Sequence, residues 1–307
     1  MTDTPRDTSG GRPASVLRYA VSVPPHGDYG DPRRLADLAR EAEDAGWDGF
    51  FLWDHLMFMR GFRGPIVDPW ISLAAVATAT SVIRFGPMVT PLARRRPWKV
   101  AREAVTLDHL SGGRLILGVG LGYPRDSEFD DFGEDGDERI RAEKLDEALD
   151  IITGLWSGEP FAYQGRHFRI AETTFLPRPV QRPRIPVWVA GYWPNRRPFR
   201  RAARWDGVLP GRLSLERRKA WTPTMIPTGT YGEIVSYVHR HRTADGPFDY
   251  AVGGYTAGDG GQADRRLVTS YADVGVTWWF ENLHGFRGPF DATRERIRLG
   301  PPRVERA

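Results

Sequence analysis

The chain has 307 residues, 40% hydrophobic and 27% charged, and its 43 basic and 39 acidic side chains leave a formal net charge of +4. That mixture is ordinary for a folded globular protein and excludes a disordered or fibrous one. There is no cysteine, which removes disulfides, thiolate nucleophiles, zinc–thiolate sites and iron–sulfur clusters together and suits a reducing cytoplasm.

Residues 1–15 are polar, carry proline and glycine, and read as a tail rather than a signal peptide. One domain is predicted over residues 16–299, with 300–307 as a second tail. The first strand is predicted over Leu17 to Val23, ended by Pro24, Pro25 and Gly27. Asp31-Pro32 reads as an N-cap with proline in the first turn of a helix carrying Leu35, Leu38, Ala39 and Ala42 on one face. The second strand, Gly49 to Trp53, runs into Asp54-His55. A helix over Pro69 to Thr80 precedes strand three, Ile83 to Val89, which ends at Thr90-Pro91. Pro97 opens the next helix, and strand four, Arg114 to Val119, runs into Gly120-Leu121-Gly122.

An acidic loop, Asp126 to Glu138, precedes a helix over Ile140 to Trp156. Gly158 to Arg184 breaks the rhythm and reads as an insertion or small hairpin between strands four and five. Strand five is predicted over Ile185 to Ala190, strand six around Gly207 to Leu209, strand seven over Asp249 to Gly254 and strand eight over Gly275 to Phe280. Helices Arg196 to Trp205, Tyr231 to His241 and Gln262 to Val274 lie between them. Parallel strands need a crossover each, and eight strands with eight helical returns fit a closed (β/α)8 TIM barrel. A doubly wound open sheet is the competitor. It expects a phosphate turn after the first strand, where this chain has Pro-Pro-His-Gly-Asp.

The longest uncharged apolar-leaning run, Ile71 to Ile83, contains four Ser/Thr and is shorter than the about 20 residues a membrane span needs. Only three basic residues are lysine (Lys99, Lys144, Lys219), and the arginines are scattered, without the one-sided face of a nucleic-acid binder. No membrane or nucleic-acid partner is therefore expected. There is no G-x-S-x-G elbow, P-loop or H-E-x-x-H motif. His239-Arg240-His241 falls at a helix C-terminus, where imidazolium suits the helix dipole, so no metal site is assigned to it.

The glycines of Gly118-Val119-Gly120-Leu121-Gly122 leave strand four without opening a helix, so they are not a dinucleotide loop. They read as a tight strand exit or as a rim against which a flat ring can lie. His55 at the end of strand two reads as an acid, base or hydrogen-bond donor, or as a buried histidine satisfied by Asp54. Thr90 reads as a hydroxyl aimed at the mouth or as a plain strand end. Arg94 to Arg96 and the cluster Arg196, Arg197, Arg200 and Arg201 follow strands three and five, where a guanidinium could clamp a phosphate or carboxylate; Arg95 and Arg197 are the candidates. Trp53, Phe58, Tyr123 and Trp193 offer aromatic surface, and Glu281 ends strand eight.

The segment Thr90 to Tyr123 resembles the luciferase-like flavin monooxygenase family. It carries Thr90-Pro91, Arg96-Pro97, Ala101-Arg102-Glu103, Thr106 to Arg114 and the glycines 118, 120 and 122. Trp47 to His55, Glu128 to Gly133 with Glu147 to Trp156, and Leu176 to Gly191 look like the same family, in order over Arg18 to Gly207. The resemblance implies a TIM barrel with FMN, or alternatively the deazaflavin coenzyme F-420, across its C-terminal mouth. It implies hydride transfer or oxygen activation on a small-molecule substrate, a homodimer, and a separate flavin reductase as a partner for oxygen chemistry. His55, Thr90, Gly120 and Gly122 would line the ring, and Gly191 with its following loop would approach it from strand five. Tyr123 stands where some deazaflavin members carry an acidic proton donor. The rival readings are a non-catalytic flavin-binding barrel and a cofactor-free hydrolase or lyase using Asp54, His55 and Glu281.

Overall fold

Asp31 begins α1 (Pro32–Asp44), after β1 (Arg18–Val23), by accepting the Arg33 N–H. Asp68 does the same for α2 (Pro69–Ala79), after β2 (Gly49–Leu52), by accepting the Ile71 N–H. In both, proline takes the first helical position, where its missing N–H costs nothing. The computed structural model describes residues 17–212 and 225–303. The predicted tail over 1–15 lies outside them, as do 304–307 and most of the loop after strand six. Residues 300–303 pack back on the barrel, with the Arg303 guanidinium over the Tyr19 ring.

The third predicted strand is split into β3 (Arg84–Pro87) and β4 (Thr90–Pro91), with a cis Met88–Val89 peptide between them. α3 (Pro97–Leu110), β5 (Leu117–Gly120), the short α4 (Arg125–Glu128) and α5 (Glu138–Trp156) follow. The insertion is an antiparallel hairpin of β6 (Phe161–Gln164) and β7 (Arg169–Thr173). Then come β8 (Val187–Trp193), α6 (Arg196–Ala202), β9 (Gly207–Arg212), α7 (Thr228–His241), β10 (Asp249–Gly254), α8 (Gln262–Asp273), β11 (Trp278–Asn282) and α9 (Phe290–Arg298).

The strands pair in parallel in the order β3-β2-β1-β11-β10-β9-β8-β5-β4. β3 pairs with β2 and β4 with β5, and a parallel bridge between Phe85 and Leu115 joins the two edges. The sheet is therefore a barrel, and the open-sheet alternative falls. Two helix-to-strand joins carry the same Trp-Asp-Gly sequence, Trp47-Asp48-Gly49 and Trp205-Asp206-Gly207, and share a register device. Asp48, opening β2, accepts the Tyr19 N–H of β1, and Asp206, opening β9, accepts the Val187 N–H of β8, each at 2.8 Å.

Strand alternation separates two cores. Phe51, Met88, Ile116, Trp188, Trp278 and Phe280 fill the barrel interior. A larger cluster, including Leu38, Phe50, Val100, Leu149 and Trp279, lies between barrel and helices. Because Trp278 and Phe280 point in, Glu281 points out. It is fully buried, accepts from the Thr256 N–H at 2.8 Å and hydroxyl at 2.7 Å, and faces Arg287 and Arg296. It is thus a clamp between β11, α9 and the loop after β10 rather than a mouth residue. Glu281→Ala leaves the 6%-exposed Arg296 short of its carboxylate. It is expected to cost about 3–5 kcal/mol, a fall of roughly 10 °C in melting temperature; a shift within about 2 °C would show that the clamp carries no stability.

Candidate active site

Above the packed floor, alternation continues the inward face to Ser22, Trp53, Gly120, Ala190, Gly253 and Asn282 at the C-terminal mouth. A Cβ on Gly120 would lie 2.7 Å from Val89 Cγ2 and 3.6 Å from Ala190 Cβ, and one on Gly253 would lie 2.6 Å from Asn282 Nδ2. The β5, β8 and β10 side of the mouth is a ledge of small residues. The opposite side carries rings from the segments after β1, β2 and β11.

His55 stands on that second side, half-buried, with Nδ1 3.3 Å from Glu128 Oε1, an ion-pair separation rather than a well-aligned hydrogen bond. Glu128 closes α4 and is 1% exposed. Its carboxylate accepts the backbone N–H groups of Leu56 (3.0 Å), Met57 (3.0 Å) and Phe58 (2.8 Å), and Arg94 lies 3.1 Å away. Three successive N–H groups converging on one anion form a nest. Phe58 is the one non-glycine residue with positive φ among the described residues, at 65°. Its left-handed backbone is held by this carboxylate, and such strain gathers at functional sites. Burial alone would raise the Glu128 carboxyl; the facing His55, the backbone N–H groups and Arg94 outweigh it and hold the carboxyl down at about 2.

Asp54 is the second buried carboxylate beside His55. It takes Arg95 at 2.9 Å, Arg94 at 3.2 Å and the Thr90 hydroxyl at 2.8 Å, while the Trp70 indole donates to Thr90 at 3.0 Å. His26 stacks on Phe58 with centroids 4.0 Å apart. Burial first, then the imidazoles of His55 and His284, lower His26 to about 4. Burial and then Arg287 lower His284 to about 4 as well. Both are neutral at pH 7, and His26 Nε2 is buried without a hydrogen-bond partner among the described residues.

The predicted site residues divide by strand parity. His55 and Gly120 both stand at the mouth, on its two opposite sides. Thr90 does not aim its hydroxyl there: Val89 packs on the interior cluster, so Thr90 turns outward, is fully buried and braces Asp54. Ala190 points in, so Gly191 and Trp193 point out. A Cβ on Gly191 would lie 2.3 Å from Pro198 Cβ, and Trp193 packs edge-on against Phe199 and Tyr237 with Arg196 over its ring. Gly122, at φ 82°, turns the chain beneath Phe129. Tyr123 is 55% exposed at the rim, and Arg197 is exposed in the first turn of α6. Arg95 is occupied by Asp54. His55 is backed by Glu128, not by Asp54. His239 and His241 sit in the last turn of α7, where the dipole reading put them.

Glu128, His26 and His284 were not singled out from the sequence. The strand-end rule that marked His55 reaches His26, which closely follows β1. Glu128 lies among several loop acids, and no spacing distinguishes it.

A family model described as luciferase-like monooxygenase matches residues 14–226. The chain is 37% identical over 165 residues to an F420-dependent hydroxymycolic acid dehydrogenase of Mycobacterium tuberculosis, covering 53% of this chain and 44% of that relative. It is 33% identical over 209 residues to an F420-dependent glucose-6-phosphate dehydrogenase of Beutenbergia cavernae, covering 67% and 60%. The chain thus spans about half the length of the curated relatives it matches. Its fold is similar to that of an F420-dependent secondary alcohol dehydrogenase bound to an F420–acetone adduct, with TM-score 0.74 at 15% identity over 94% of this chain and 98% of the other. No described helix is long and apolar enough to cross a membrane. With the family match running over more than half its length and closing on this barrel, the chain belongs to the luciferase-like monooxygenase family.

Proposed function

We propose that the chain is an oxidoreductase working with the deazaflavin coenzyme F-420, and that it oxidises or reduces a small molecule at an alcohol or carbonyl carbon. The observation that carries this reading is His55 at the mouth, reachable from solvent and backed at 3.3 Å by a buried carboxylate. The F420-dependent relatives favour the deazaflavin over FMN. A separate reductase belongs only to the FMN version.

The residues suit a planar neutral heterocycle. Gly120, Ala190 and Gly253 leave a ledge without side chains beyond a methyl, and His26 Nε2 offers an unsatisfied hydrogen-bonding atom. A deazaflavin supplies two-electron hydride chemistry when bound. Glu128 faces Nδ1 of His55, so Nε2 is the atom left to take the proton from the hydroxyl oxygen of an alcohol undergoing oxidation, or to return it to the carbonyl oxygen in reduction.

Equilibrium titration tests the reading. F-420 is expected to bind in about the micromolar range and FMN at least about tenfold more weakly; failure of both to bind at roughly 100 μM would sink it. Gly120→Val drives side-chain atoms into Val89. It is expected to cost about 1–3 kcal/mol of stability by overpacking and to weaken F-420 by about tenfold or more. Unchanged affinity would remove the ledge from the site. The reading includes a homodimer in the cytoplasm, and light scattering of the purified chain checks the assembly.

A further inference from the structure

The two sides of the mouth differ in chemistry. Opposite the small-residue ledge the rings make a continuous wall. Phe58 meets His26 at 4.0 Å, Phe62 at 5.7 Å and Phe286 at 6.3 Å, and Trp53 meets His55 at 6.1 Å and His284 at 5.7 Å. His26, Phe58 and His284 are buried backing. Trp53, His55 and Phe62 are half-buried. Leu56, Met57 and Phe286, at 44%, 39% and 59% exposure, carry the apolar surface outward.

The buried groups of this wall show no free charge. Its buried imidazoles His26 and His284 are neutral at pH 7. Behind it, two carboxylates (Asp54, Glu128) are matched by two guanidinium groups (Arg94, Arg95). Arg287 beside His284 is engaged by Glu281. Arg63, in the same loop as Phe62, has no carboxylate partner among the described residues, but it is exposed and its guanidinium folds back on the Phe62 carbonyl. A phosphate or carboxylate calls for a guanidinium or ammonium free to meet it. An apolar group needs only area to cover.

We infer that the wall seats the uncharged, apolar or aromatic part of the substrate, and that the substrate is an uncharged alcohol or ketone rather than a sugar phosphate or another anionic ester. This rests on the oxidoreductase reading for the reacting group, and on the wall alone for the class of its substituent.

Calorimetric titration of the full chain, with and without F-420, against a series of phenyl alkyl ketones and against glucose 6-phosphate tests it. Each added methylene is expected to tighten ketone binding about fourfold until the wall is covered, with little dependence on salt. Phe286→Ala is expected to weaken the longest ketone about fivefold at unchanged melting temperature. Glucose 6-phosphate is expected not to bind at about millimolar concentration. Glucose 6-phosphate binding that matches the ketones and weakens with salt overturns the inference, as does a series with no methylene increment. If F-420 fails to bind while the ketone increment persists, the coenzyme reading falls and the wall assignment stands. If F-420 binds and the ketones do not, the wall assignment falls and the coenzyme reading stands.

Discussion

Glu128→Ala is expected to lower stability by about 4 kcal/mol, because each buried polar group left unsatisfied costs about 1–3 kcal/mol and the exposed loop regains part of that from water. The variant removes the acceptor of three successive N–H groups and one of the two carboxylates around Arg94, which is 3% exposed. It also releases Phe58 from φ 65°, so the segment carrying His55 loses its defined position. Melting should fall by roughly 10 °C and turnover by about a hundredfold, the usual cost of a displaced catalytic group. A melting temperature within about 2 °C of the parent would show that the nest is not a structural unit.

The same carboxylate sets an acid limb. Its folded value of about 2 lies below the ordinary 4.5, so its contribution is complete above pH 4.5 and is lost as pH falls toward 2. Denaturant unfolding of Glu128→Gln should therefore show a flatter loss of stability across that window than the parent. An equal slope would assign the acid limb to other groups.

His55→Ala is expected to behave in the opposite way. The ring is partly solvent-exposed, and its removal leaves Glu128 with its backbone donors and Arg94. Stability should change by no more than about 1 kcal/mol, as for an ion pair with a partly exposed partner. Loss of a general acid–base should lower turnover by about 10²- to 10⁴-fold, with F-420 affinity within about threefold of the parent. His55→Asn, which keeps a hydrogen-bonding side chain but cannot shuttle a proton at neutral pH, should be nearly as slow. A large fall in melting temperature with little loss of turnover would instead make His55 a buried structural histidine. Together the two variants separate the group that reacts from the group that positions it.

The alternation of strands and helices, and hence the barrel, was legible because local chemistry writes it. Asp31 and Asp68 cap helices that open on proline, Gly46 and Gly112 adopt positive φ where helices end, and strands begin after the Trp-Asp-Gly joins. The place of His55 at the end of β2 followed from the same pattern. Facing and partnership did not. Thr90, Gly191, Trp193 and Glu281 each lie one step from an inward residue, and a period of two turns such a step into the opposite side of the sheet. The split of the third strand into β3 and β4 and the true end of β11 fix that parity, and neither leaves a mark in composition. Glu128 meets the loop after β2 from 72 residues away. Only closure of the barrel brings that carboxylate to three backbone N–H groups and an imidazole, and it is those donors and Arg94, offsetting the cost of burial, that select it over its acidic neighbours.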